Sequence, residues 1–157
     1  MTIIAIDPGT TESGFVEWTP GATYSVTGIR PYFRESISNL ELLSRIKTEK
    51  GDKILAIERI APHYKPVGCE TLETCEWVGR FQEAHKGRTL LIYCRDVRIH
   101  HTTRGNAKDG EVSLALRDKY GNKGTKKHPG FFAGCSSHAW QAFALAAYVH
   151  ETGKEKQ

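Results

Sequence analysis

Two short apolar runs in this chain end the same way. Thr2-Ile3-Ile4-Ala5-Ile6 stops at Asp7, and Lys53-Ile54-Leu55-Ala56-Ile57 stops at Glu58. A continuous apolar run is the mark of a strand buried on both faces, and such strands belong to parallel or mixed sheets covered by helices. If the two runs are parallel neighbours, both carboxylates emerge at one edge of the sheet, the edge where open α/β sheets bind ligands. Two carboxylates that close repel strongly in a low dielectric and need a cation or a shared proton to coexist. Hard oxygen ligands favour Mg²⁺ or Mn²⁺. A pair of such ions about 3.5–4 Å apart is the device that clamps an in-line phosphoryl displacement. Taken singly, either acid is a turn residue, a cap or a salt-bridge partner. The pairing at two buried-type strand ends is what points to a metal site.

The rest of the chain supplies a frame for those strands. Ser13–Trp18 and Ala22–Ile29 read as second and third strands around the turn Thr19-Pro20-Gly21, forming an antiparallel meander. Leu40, Leu42, Leu43 and Ile46 lie at helical spacing, with Ser36 or Ser38 as N-cap. Thr71–Lys86 reads as a helix with Leu72, Cys75, Val78, Phe81 and His85 on one face and Gly87 past its end. Thr89–Tyr93 is a fifth strand and Glu111–Tyr120 a short helix. A basic loop, Asn122–Gly134, leads to a last helix, His138–His150, capped by Ser136 or Ser137. The order is β-β-β-α-β-α-β-α-α. With right-handed crossovers this is an α/β fold: a five-stranded mixed sheet with helices on both faces. It reads as a single domain over 1–157, with 151–157 as a flexible tail.

Composition sets the outer limits. At 157 residues the chain can bury one sizeable core. No apolar stretch approaches the roughly 20 residues of a membrane helix, and no basic segment precedes an apolar run at the start. The expected setting is the cytoplasm, with no membrane contact. Cys69, Cys75, Cys94 and Cys135 form no C-x-x-C pair and are expected as free thiols serving as small core hydrophobes. Trp77, Phe81, Trp140 and Phe143 are expected in the core or at a subunit interface. Net charge is only +4, but nine Lys or Arg lie between Arg95 and Lys127 against four acids, with Lys86 and Arg88 just upstream. Such a segment is either a solvated face or a surface for a polyanion.

IDPGTTESG, IERIAP, GNAKDGEV and SSHAWQAFALAAY, in that order, resemble the RuvC-type Holliday-junction resolvases, in particular the compact forms carried by bacteriophages. The resemblance covers nearly the whole chain and implies the RNase H-like fold. It implies that Asp7 is the first-strand metal-binding aspartate and Glu58 the fourth-strand glutamate. The family's last helix carries two more metal-binding residues one turn apart, which here are His138 and Gln141. A histidine at the first position suits a metal ligand or proton shuttle. Gln141 departs from the family pattern: it is uncharged and is a weak ligand at most. Lys108 matches the segment that supplies a lysine to the developing charge on the phosphate. Arg104, Lys123, Lys126 and Lys127 are expected at the DNA backbone. In the loop after the fourth strand Lys65 is expected beside them, and Tyr64 either stacks on an unpaired base or packs within the loop. A two-fold junction needs two symmetric nicks, so a homodimer is implied, paired through the 71–86 helix.

The implied activity is a Mg²⁺- or Mn²⁺-dependent endonuclease, with two ions per site, cutting four-way junctions or other branched DNA to leave a 5′-phosphate and a 3′-hydroxyl. Three other readings stand beside it. Asp-Pro-Gly-Thr-Thr also resembles the first phosphate loop of actin- and sugar-kinase-like ATPases. Those have two such domains and a second glycine-rich loop, and this chain has neither, so no nucleotide cofactor is expected. Gln141 makes a non-catalytic junction binder reasonable. An RNase H-like nuclease for other branched DNA or for RNA–DNA hybrids is the third.

Overall fold

The computed structural model describes residues 1–21, 30–61 and 66–154. Its strands are β1 (Thr2–Asp7), β2 (Glu12–Trp18), β3 (Tyr32–Ser38), β4 (Lys53–Arg59) and β5 (Thr89–Tyr93). Its helices are α1 (Asn39–Thr48), α2 (Cys69–Ala84), α3 (Cys94–Thr102), α4 (Asp109–Tyr120) and α5 (Ser137–Glu151). The strands form one sheet in the order β3-β2-β1-β4-β5. β2 runs antiparallel to β1 and to β3; β4 runs parallel to β1 and to β5. The mixed sheet expected from the two acid-ended runs is the one observed.

The pleat splits the apolar residues of β1 between two cores. Ile4 and Ile6 pack with Phe15, Leu55 and Ile57 against Leu42 and Ile46 of α1 and Val78 and Phe81 of α2. Ile3 and Ala5 face the other way, with Val16, Trp18 and Ala56, towards α5. Successive residues of a strand point to opposite faces, so a run apolar at every position needs cover on both sides. α5 lies across β1 to β4. Ala5 and Ala56 on the sheet meet Ala139, Ala142 and Ala146 on the helix, and small side chains on both surfaces let the helix lie close. Phe131, Phe132, Trp140 and Phe143 close the side of that core in edge-on and tilted ring pairs.

Several expectations are corrected. The strand expected at Ala22–Ile29 lies wholly outside the described residues; the strand paired with β2 is β3, Tyr32–Ser38, which was not expected. Its helix is capped by Ser38, whose Oγ accepts from the Glu41 amide at 3.2 Å. α2 buries Thr74, Val78, Phe81 and Ala84, while Leu72 and Cys75, expected on that face, are exposed. Of the four free cysteines only Cys135 is buried; Cys69 and Cys75 are exposed. α3 is a helix in a stretch expected only as basic. The last helix runs through Glu151, so the tail begins after that residue.

Candidate metal and nucleic-acid site

The site is built at the carboxyl ends of β1 and β4. Ile6 pairs with Ile57 in the parallel register, so the next residue on each strand, Asp7 and Glu58, leaves the sheet beside the other. On its other side Asp7 pairs with Gly14 of β2. A Cβ on Gly14 would fall 2.6–2.7 Å from the backbone and Cβ of His138, far inside van der Waals contact. The missing side chain at position 14 thus lets the first turn of α5 rest directly on β2. His138 consequently reaches Asp7, with Nδ1 2.8 Å from Oδ2. Gln141 follows one turn later on the same helix and lines the same cleft.

The connection after Asp7 is locked from behind. A Cβ on Gly9 would lie 2.2 Å from the Glu12 carbonyl oxygen, so the turn has no space for one. Buried Ser13 donates to the Asn39 side-chain oxygen at 2.6 Å, and the Asn39 amide group donates to the Gly9 carbonyl at 2.9 Å. The Asn39 backbone N–H also donates to Thr11 at 2.9 Å. The PGTTES segment is therefore pinned to the start of α1, and Asp7 projects from a fixed edge.

Asp7, Glu58, His138 and Gln141 share a cleft of about 470 Å³ with Cys94, Arg98 and Asp109. Burial pushes the Asp7 carboxyl up from its ordinary value; the His138 hydrogen bond and charge act against this. Burial, and then the Asp7 charge, push Glu58 up to about 7; Arg98 and a hydrogen bond with Cys94 offset part of it. Burial and the Glu58 charge push the Cys94 thiol up to about 11, so it is held protonated beside the carboxylate.

Two cleft residues were not found in the sequence. Arg98 sits on α3, and its Nη2 is 2.9 Å from Asp109 Oδ1. Its Nε is buried with no hydrogen-bond partner among the described residues. Asp109 is the first residue of α4, two positions before the helix start expected at Glu111, and lines the cleft. The cap position belongs to Lys108, whose N–H donates to the Glu111 carboxylate at 2.8 Å. With Val97 as the single buried residue of α3, the stretch carries no helical period that could have placed Arg98.

The described residues among those expected to contact DNA are exposed, and none of them lines the cleft itself. Lys108 is exposed and next to Asp109. Arg104 is exposed and paired with Glu111. Lys126 and Lys127 stand exposed in the turn closed by the Gly124–Pro129 bridge, and Lys123 lies over the Trp140 ring at 5.6 Å. A shallow groove of about 260 Å³ runs from the cleft between the starts of α4 and α5, past Ser113, Trp140 and Gln141. Tyr64 and Lys65 lie outside the described residues.

Glu151 lies at the other end of α5, about 20 Å away at 1.5 Å per residue. It accepts from Lys119 at 2.6 Å and from Tyr120, and meets His100 Nε2 at 2.7 Å. Burial opposes its ionisation, but those hydrogen bonds prevail and hold it down to about 2. His100, His101 and Glu151 are the three metal-type donors that come within 4.8 Å of one another among the described residues. The Lys119 ammonium already supplies the positive charge there, and the group joins the ends of α3, α4 and α5.

The five-stranded mixed sheet, with acids at the ends of two parallel strands and a last helix laid across them, is an RNase H-like fold. Its likeness to solved structures runs over nearly the whole chain. The chain is similar to Thermus thermophilus RuvC with a TM-score of 0.62 and 17% identity, covering 98% of this chain and 97% of that one. It is similar to T. thermophilus RuvC in complex with a Holliday junction substrate with a TM-score of 0.58 and 17% identity, covering 98% and 96%. At that identity the likeness is one of fold. No family model and no curated protein matches the sequence.

Proposed function

We propose that this protein is a divalent-metal-dependent endonuclease that cuts four-way or otherwise branched DNA. The observation that carries the reading is the register of β1 and β4, which sets Asp7 and Glu58 side by side, with His138 on Asp7. The donor set fits a hard divalent ion. Both carboxyls sit above their ordinary values without one, because burial and, for Glu58, a like charge oppose ionisation. A cation between them removes that penalty. Asp7, Glu58 and His138 would hold it, with Asp109 as a further acid and the Gln141 carbonyl oxygen as a weak ligand. Mg²⁺ or Mn²⁺ supplies Lewis-acid stabilisation of charge on a phosphodiester.

The remaining steps belong to the chain's own residues. His138 holds the Asp7 carboxylate through Nδ1, so its one remaining ring nitrogen, Nε2, would either hold the ion or move a proton at the attacking or leaving oxygen, not both. Arg98 places a guanidinium at the wall of the cleft, where negative charge grows on the phosphate. Lys108, Arg104, Lys123, Lys126 and Lys127 position the DNA backbone, contacts that set register without reading sequence. Two nicks across a two-fold junction need two related sites, so the working form is a homodimer, paired through α2, where Leu72 is exposed.

Gln141 favours one second reading, a protein that binds branched DNA without cutting it. Labelled four-way junction, linear duplex and RNA–DNA hybrid incubated with the protein in Mg²⁺ separate the possibilities. The proposal expects paired nicks in the junction and little cutting of the other two. Junction binding without cleavage supports the binder, and hybrid cut as fast as junction overturns the substrate assignment.

A further inference from the structure

Gln141 brings no charge to the metal cleft, whereas Arg98 brings a positive one. Cys94 and Arg98 are four residues apart, so they lie on one face of α3, and both line the cleft. That face sets Arg98 among the acids. Its Nη2 lies 2.9 Å from Asp109 Oδ1, and its charge acts on Glu58 and on the Cys94 thiol. Its Nε is buried with no hydrogen-bond partner among the described residues. An arginine has five N–H donors and stays charged at every working pH. The bond to Asp109 engages one of them, which leaves others for an oxygen anion that enters the cleft.

The charges in the cleft leave room for one divalent ion. Besides the Asp7 charge on Glu58, the charges that act on this carboxylate pair are those of His138, Asp109 and Arg98. Glu12 and Glu35 also line the cleft, but they are exposed to solvent and hydrogen-bonded to Ser36 and Ser136. With His138 neutral, three carboxylates against one guanidinium leave two negative charges, which one divalent ion cancels. A pair of ions about 3.5–4 Å apart would leave two positive charges in excess, and Gln141 offers no carboxylate against them. A guanidinium meets phosphate oxygens through paired N–H groups, so it can neutralise the charge that a second ion would otherwise neutralise.

We propose that Arg98 takes the place of a second ion, so that the site works with one divalent ion and one guanidinium. The inference rests on the nuclease reading above and departs from the two ions that the family resemblance implies. The strand-end carboxylates hold the ion, and the bond to Asp109 fixes the guanidinium beside it.

Counting bound Mn²⁺ by electron paramagnetic resonance tests it, with the full chain and no DNA. The ions that count are those lost in Asp7→Asn. Wild type should hold one, with the resolved hyperfine lines of an isolated Mn²⁺. Gln141→Asp should still hold one. Arg98→Met combined with Gln141→Asp should hold two, whose mutual coupling broadens the lines. Arg98→Lys combined with Gln141→Asp keeps the charge and should return to one. Two coupled ions in wild type overturn the inference and leave the nuclease reading intact. A single ion in Arg98→Met with Gln141→Asp, in a protein that still melts cooperatively, also overturns it, because the arginine is then not what excludes the second ion. No Mn²⁺ lost in Asp7→Asn overturns the metal site, and the nuclease reading with it. The wild-type count needs no change at position 98, so it decides the matter even where loss of Arg98 unfolds the chain.

Discussion

Glu58 is raised to about 7 by burial and by Asp7, against an unfolded value of 4.5. A carboxyl raised in the folded state binds more protons there than when unfolded, so its contribution to stability is complete below pH 4.5 and is lost as pH rises through 7. Melting curves of the metal-free protein between pH 4.5 and 8 should therefore show Tm falling with pH. Glu58→Gln, which has nothing to titrate, should lose that dependence and melt higher than wild type at pH 8. A Tm that rises with pH in both proteins contradicts the electrostatic description of the site. Asp109 and Gln141 make a matching pair of tests. Asp109→Asn should weaken Mn²⁺ binding about tenfold by titration calorimetry, and Gln141→Asp should strengthen it by a similar factor through a new hard ligand. Unchanged affinities in both would place neither residue at the ion.

At the scale of elements, the contact of α5 with β2 decides whether the site exists. Gly14→Ala puts a methyl group 2.6–2.7 Å from His138. The helix must shift, at about 1–3 kcal/mol for an overpacked contact. The expected result is a lower Tm together with at least a tenfold loss of Mn²⁺ affinity; a stable variant with normal affinity would mean that the close approach does not position His138. The far end of α5 gives an independent acid test. Glu151 is held down to about 2, so its stabilisation is present above pH 4.5 and lost as pH falls towards 2. Glu151→Gln should be less stable than wild type at neutral pH, and the gap should close in acid denaturation between those values. These elements were unequally legible. β1 and β4 announce themselves because both faces are covered and every position is apolar. β3 is an edge strand reading YFRESIS with one buried residue, so the apolar signal is too thin to outweigh the β-rich stretch before it. α3 reads CRDVRIHHT and buries only Val97, which leaves a charge run with no visible period.

Across the whole molecule, function follows from which strand ends meet. Asp7 and Glu58 are 51 positions apart in the chain, yet each could be read as a candidate because the sheet order needed to join them is the usual outcome of a right-handed crossover. His138 is legible only through a motif, and the structure gives the reason it fits: Gly14 opposite Asp7, with α5 laid on the gap. Arg98 and Asp109 were not legible as site residues, because their entry into the cleft depends on a helix unseen in the sequence and on where α4 begins. The central claim is that the two strand-end carboxylates hold an ion that acts on a DNA phosphate. Its most direct measurement is cleavage of a labelled four-way junction by wild type and Asp7→Asn, each with Mg²⁺ and with EDTA. Wild type should give paired nicks in Mg²⁺ alone, with junction binding retained by Asp7→Asn. Cleavage that survives EDTA or the loss of Asp7 would contradict it.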